Sequence, residues 1–323
     1  MAKTETPTPP DRSMLEDLQD LVGGLVKNPV ALLIGAVILG TLYYFFFMLP
    51  LYGGLPISNW AWGRYEPQYN YEHGKIVPFI FLFLIWYHRK RLREAPGQGS
   101  NWGLLVILLG VMFYAMGART LQGRVGMFSV PFLFLGSVMF IWGRHVARIL
   151  LFPSAFLVFM IPVAAIEQAT FRLQFIITGI ADWFCNLVGI KIFAVGTTLR
   201  AVDDSFGFEI AEGCSGIRSL MAMVMLAAIY VHLTQDRLWK KVLIFSFATV
   251  FAIIGNAGRI VTILLVARFI DPKLAGGIYH EYSGFIFFPI ALGAMLLFSK
   301  LVNLDFAKMP ENARKKEAAS YDY

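Results

Sequence analysis

The chain has 323 residues, of which 57% are hydrophobic and 15% charged, and its mean hydropathy is +0.62. This excludes a water-soluble globular domain and describes an all-α polytopic membrane protein. The formal net charge of +7 has to be sorted by membrane side before it says anything of partners, and no nucleic-acid partner is expected.

Met1 to Asp20 is polar and lacks the apolar core of a signal peptide. With Pro7, Pro9 and Pro10, residues 1–28 read as a flexible cytoplasmic arm, and Ser13 to Val26 as a short amphipathic helix within it. Residues 29–303 read as a single integral membrane catalytic domain, and 304–323 as a basic cytoplasmic tail.

About eight transmembrane helices are expected. The first runs from Val30 to Leu49, and a wet aromatic loop follows, with Trp60, Trp62, Tyr65, Tyr69 and Tyr71 as an interfacial belt. The second, Ile76 to Tyr87, ends in the basic run HRKRLRE. The third and fourth cover Trp102 to Met116 and Met127 to Trp142, and the fifth, Ile149 to Ile166, carries Pro153 and Pro162. Glu167 to Gly189 is amphipathic and is expected to lie in the interface. From Ile192 to Ile210 the helical period is lost; β-branched and aromatic residues flank the turn signal Asp203-Asp204-Ser205, which predicts a short extracytoplasmic β-hairpin. The last three spans are Ser215 to Val231, Val242 to Phe269 and Tyr282 to Val302.

Lys and Arg concentrate in the N-terminal arm, after spans two, four and six, and from Lys300 on. The positive-inside rule then makes both termini cytoplasmic and places the segment before span six outside. That segment, FEIAEGCSGIRSL, sets Cys214 where a polar stretch enters an apolar helix, and a helix N-terminus favours the thiolate that a nucleophilic cysteine needs.

Ionisable groups inside spans are expensive and are functional candidates by default. Asn256 and Arg259 share one face of span seven. Arg259 is 18 residues beyond Lys241, which is roughly 27 Å along a helix and close to the outer edge of a ~30 Å hydrocarbon core. His280 opens span eight at the same depth. A thiol nucleophile, an imidazole that moves a proton and a fixed cation for an oxyanion are what acyl transfer through a thioester requires. Arg218, one turn into the helix from Cys214, could serve the thiolate instead of Arg259. His73, with Gly74 and Pro78 after it, is the other outward histidine. Nothing has the spacing of a metal site or of a Walker phosphate loop, so neither metal nor cofactor is expected.

AEGCSGIRSL around Cys214, GNAGRI around Arg259, HEYSG around His280 and YEHGKIVP around His73 resemble the signature blocks of the exosortase/archaeosortase family, in family order. The resemblance implies a membrane cysteine transpeptidase that cleaves a C-terminal sorting tail made of a short motif, a membrane helix and a basic cluster. It implies Cys214 as nucleophile, His280 as proton carrier and Arg259 as oxyanion stabiliser, with Arg218, Asn256, His73 and Ser215 in secondary or substrate-positioning roles. Its partners would be membrane-anchored proteins bearing such tails, an unidentified acceptor nucleophile and the lipid bilayer. The competing class is a transporter or channel whose intramembrane arginines bind an anion. Against it, the polar residues cluster at one membrane face and not at the midplane.

Overall fold

The computed structural model describes residues 40–41, 43–162, 164–210 and 216–304. Most of the expected first span, the N-terminal arm and the C-terminal tail lie outside these residues.

The described chain enters through a π-helical turn, Tyr44–Met48, closed by an extended Leu49, the conformation that Pro50 imposes on its predecessor. The aromatic loop that follows contains α1 (Ile57–Trp62) and two 3-10 turns, Pro67–Tyr69 and Glu72–Lys75. It is less wet than expected. Tyr52, Tyr65 and Tyr71 are buried with Tyr114 and Ile161, and the Tyr65 hydroxyl donates to the Met160 carbonyl at 2.7 Å. A buried tyrosine requires such an acceptor, and here it clamps the loop onto the membrane helices.

Next come α2 (Val77–Tyr87), α3 (Arg89–Glu94), α4 (Trp102–Arg119), α5 (Gly123–Met127) and α6 (Ser129–Ile149). The closest helix pair is held by small residues. Gly103, Gly110 and Gly117 recur every seven positions on α4; a Cβ at these sites would strike Phe140 and Gly136, Leu133, and Gly126 respectively. Absent side chains let the backbones approach, which in lipid takes the place of a hydrophobic driving force.

The expected fifth span is not one helix. α7 (Leu151–Phe156) passes into a 3-10 turn, Leu157–Met160, and Ile161 is extended at φ −88° and ψ 116°. Pro162 disfavours helical geometry at the residue before it, so the helix stops there. α8 (Ala164–Leu187) is helical over the amphipathic stretch.

Among the described residues, five segments are long and apolar enough to cross a membrane: Trp102–Arg119, Gly123–Ile149, Ile217–Thr234, Leu238–Phe269 and Pro272–Asn303. Val77–Tyr87 and Leu151–Met160 are apolar but shorter. The protein is thus a mostly helical multi-pass membrane protein, and the described residues contain five such spans, not the eight expected of the chain.

The hairpin is also corrected. Three antiparallel strands form a sheet in the order β1 (Ile192–Val195), β2 (Thr198–Ala201), β3 (Gly207–Glu209). The first turn falls at Gly196, whose φ of +64° suits glycine, and Asp203 to Ser205 lie in the second. Ile192, Leu199 and Ala201 belong to one buried cluster with Ile177, Ala181 and Cys185 of α8 and Ile260 and Leu264 of the helix after next. Asn186 fastens β1 to α8, accepting from the Ile192 N–H at 3.4 Å and donating to its carbonyl at 3.0 Å. Three helices complete the described residues: α9 (Ile217–Thr234), α10 (Leu238–Phe269) and α11 (His280–Asn303), the last preceded by a helical turn at Pro272–Leu274 and a π-helical turn at Ala275–Tyr279.

Candidate functional site

Cys214, Ser215 and Glu212 lie in residues 211–215, outside the described residues. The anchors on either side are defined. On the N-terminal side, Gln174 of α8 is buried and donates through Nε2 to the Ile210 carbonyl at 3.0 Å. On the C-terminal side, Gly216 caps α9 with φ +78° and ψ 7°, a left-handed conformation that costs other residues about 1–2 kcal/mol. Space excludes a side chain there as well, because a Cβ on Gly216 would collide with the Asn256 amide. Asn256 is itself buried on α10, so α10 fixes the place where α9 begins.

One turn further along α10 is Arg259. Its Nε donates to Ser283 Oγ at 2.9 Å and its Nη2 to the His280 carbonyl at 2.8 Å, while Ser283 Oγ donates to the same carbonyl at 3.1 Å. The guanidinium is thus held through two of its nitrogens by the first turn of α11. Gly284 leaves room beside it; a Cβ there would come only to 4.0 Å from Cζ. Among the described residues no bond engages Nη1, which leaves that donor for a developing negative charge. Arg259 and His280 are therefore one unit spanning two helices, and Asn256 adjoins it from the preceding turn.

Arg218 reaches a different loop. Its Nε lies 3.1 Å from Asn70 Oδ1 and 3.3 Å from Glu72 Oε1, which draws it toward the loop that carries His73. A cation in the first turn of a helix opposes the macrodipole unless it is paired, and Glu72 supplies the pairing.

His73 is seated in the 3-10 turn Glu72–Lys75. Its ring bonds the Phe159 backbone, and Nε2 is buried without a partner among the described residues. Burial holds its pKa below the ordinary histidine value, opposed by Glu72 and by the bond to Phe159. Gly74 follows because a Cβ there would enter the Tyr65 ring. YEHG is thus a packing block whose acid reaches α9.

Cys185 is a free, fully buried thiol. Burial, and after it the Asp182 carboxylate, push its pKa up to about 11, the environment of an inert structural cysteine. No bridge joins it to Cys214. Among the described residues no group of three or more His, Cys, Asp or Glu could hold a metal ion.

Sequence reading missed four contributors: Ser283, Gln174, Asn70 and Glu72. Only Ser283 carried a signal, since it falls three residues after His280 in HEYSG and shares its helix face.

Residues 62–297 match a family model described as transmembrane exosortase, a range that takes in His73, Arg218, Asn256, Arg259 and His280. No curated protein and no solved structure matches the chain.

Proposed function

Because the chain belongs to the transmembrane exosortase family, we propose that it is a membrane cysteine transpeptidase that removes C-terminal sorting tails from membrane-anchored proteins. The observation that supports this reading is the Arg259 guanidinium, fixed by Ser283 Oγ and the His280 carbonyl with Nη1 uncommitted among the described residues. Two peptide bonds tether Cys214 to Gly216, a reach of roughly 7 Å, and Gly216 rests on Asn256, one turn before that arginine on α10.

In the proposed reaction the Cys214 thiol passes its proton to His280, and Sγ attacks the scissile carbonyl carbon. Arg259 stabilises the oxyanion of the tetrahedral intermediate. The C–N bond breaks as His280 returns the proton to the leaving amine, which departs with the tail, and a thioester remains on Cys214. An acceptor nucleophile in or on the membrane then takes the acyl group, its proton leaving through His280. Glu72 partly neutralises Arg218, which favours Arg259 as the oxyanion group. Asn256 positions the start of α9, and Ser215 and His73 support the nucleophile segment and the loop beside it.

The positive-inside pattern orients this site to the periplasmic or exterior side of the inner (cytoplasmic) membrane, with both termini cytoplasmic. Family membership is what favours this enzyme over an arginine-lined anion transporter. The test is a Cys214→Ala strain. The variant should reach wild-type abundance in the membrane while proteins bearing sorting tails accumulate uncleaved; normal processing in that strain would refute the reading.

A further inference from the structure

A cavity of about 200 Å³ lies between β3, α10 and the π-helical turn, and His280 is one of the residues that line it. Leu199, Ile260 and Ile263 are its buried apolar lining, and Phe208 and Gly276 border it side by side. This is below the roughly 300–1,000 Å³ of small-molecule pockets and suits a side chain. Glu209 lines it too, as an exposed carboxylate at the end of β3. Gly276 lies close against Phe208: a Cβ on it would stand 3.0 Å from Phe208 Cε1.

The strand beside the cavity is an edge. Ala201 N–H bonds the Phe206 carbonyl and Ile210 N–H the Thr197 carbonyl, each at 3.0 Å. In the antiparallel register Leu199↔Phe208, these bonds place Phe206, Phe208 and Ile210 in the hydrogen-bonded pairs with β2. Hydrogen-bonded and open pairs alternate, so Gly207 and Glu209 turn their N–H and C=O groups away from the sheet. Among the described residues nothing pairs with them. An unpaired edge next to an apolar pocket is the arrangement by which extended peptides are bound: main-chain bonds hold the strand and every second side chain enters a pocket.

We propose that the substrate segment at the scissile bond adds to β3 as a short extended strand and drops one apolar side chain into this cavity, next to His280. The inference rests on the transpeptidase reading and specifies what that site selects. An extended peptide is favoured over a lipid chain because the edge offers main-chain donors and acceptors, which an acyl chain cannot use.

The test is a tail-bearing membrane reporter randomised at the residues flanking its cleavage site, expressed with the full-length enzyme; the processed and unprocessed pools are then sequenced. Wild-type enzyme should enrich medium-sized apolar residues at one position by about tenfold or more. Gly276→Leu should shift that position toward Ala and Gly, and Phe208→Ala toward Phe and Trp. Opposite shifts distinguish an altered pocket from lower abundance, which would scale all substrates alike. Wild-type residue ratios in both variants, or no apolar preference at any flanking position in wild type, would overturn the inference and leave the enzyme reading intact. Failure of wild type to cleave any reporter would remove both.

Discussion

Arg218 and Glu72 form an ion pair, Nε to Oε1 at 3.3 Å, which ties the first turn of α9 to the turn that carries His73. The sequence alone offers two arginines for one oxyanion, and the two are held differently. Arg218 is engaged by an acid and by Asn70, whereas Arg259 is held by neutral acceptors and keeps a donor uncommitted among the described residues.

It follows that Arg259→Ala should lower turnover about 10²–10³-fold, the typical cost of losing an oxyanion donor. Arg218→Ala should cost tenfold or less, because a half-exposed pair contributes only about 0.2–1 kcal/mol. The reversed pair Glu72→Arg with Arg218→Glu should recover part of that loss. Initial rates of tail release for the three enzymes decide the matter, and equal loss in both alanine variants would refute the assignment.

Gly216 should tolerate no side chain while Asn256 is present. Gly216→Ala combines a left-handed backbone with a collision against the Asn256 amide, and a loss of activity of at least tenfold is expected. In an Asn256→Ala background the same substitution should cost less, since the collisions with Cγ and Nδ2 are gone and only the 2.9 Å approach to Cβ and the backbone strain remain. Turnover across this double-mutant cycle reads the coupling directly.

Gln174 should be important although it is 36 residues from its partner in sequence. Gln174→Leu leaves the Ile210 carbonyl without its donor, a loss of about 1–3 kcal/mol for a buried group. Thermal unfolding in detergent should register it, and turnover should fall further than stability because the bond anchors the residues leading into Cys214.

The buried imidazole of His73 gives a pH dependence. Its folded pKa is depressed, so the neutral ring's contribution to stability is complete above the ordinary histidine value of about 6.5 and is lost as pH falls below it. Between pH 7.5 and 5 the melting temperature of the wild type should drop more steeply than that of His73→Asn. Parallel curves would show that His73 does not titrate on folding.

The sequence made much of this legible because lipid leaves a strong trace. The apolar runs of α4, α6, α9, α10 and α11 mark spans, and GNAGRI and HEYSG supply the polar groups that meet between α10 and α11. Errors arose where short-range chemistry outweighed the period. Pro162 ended a helix that hydropathy alone would have continued. Gly196 made a turn that the stronger Asp203-Asp204-Ser205 signal overshadowed, so one hairpin proved to be a three-stranded sheet. The bond between Asn70 and Arg218 joins residues 148 apart, and a single sequence carries no trace of such a pairing. The glycine stripe of α4 had a readable period of seven, but which helix it faces follows only from the packing.

The central claim is that Cys214 carries the substrate as a thioester. Purified enzyme should be mixed with a tail-bearing substrate, quenched with acid within one turnover and digested for mass spectrometry. A hydroxylamine-sensitive acyl adduct on the peptide containing Cys214, formed as the tail is released and absent in Cys214→Ala, is the predicted result. Tail release by Cys214→Ala at the wild-type rate would contradict the account.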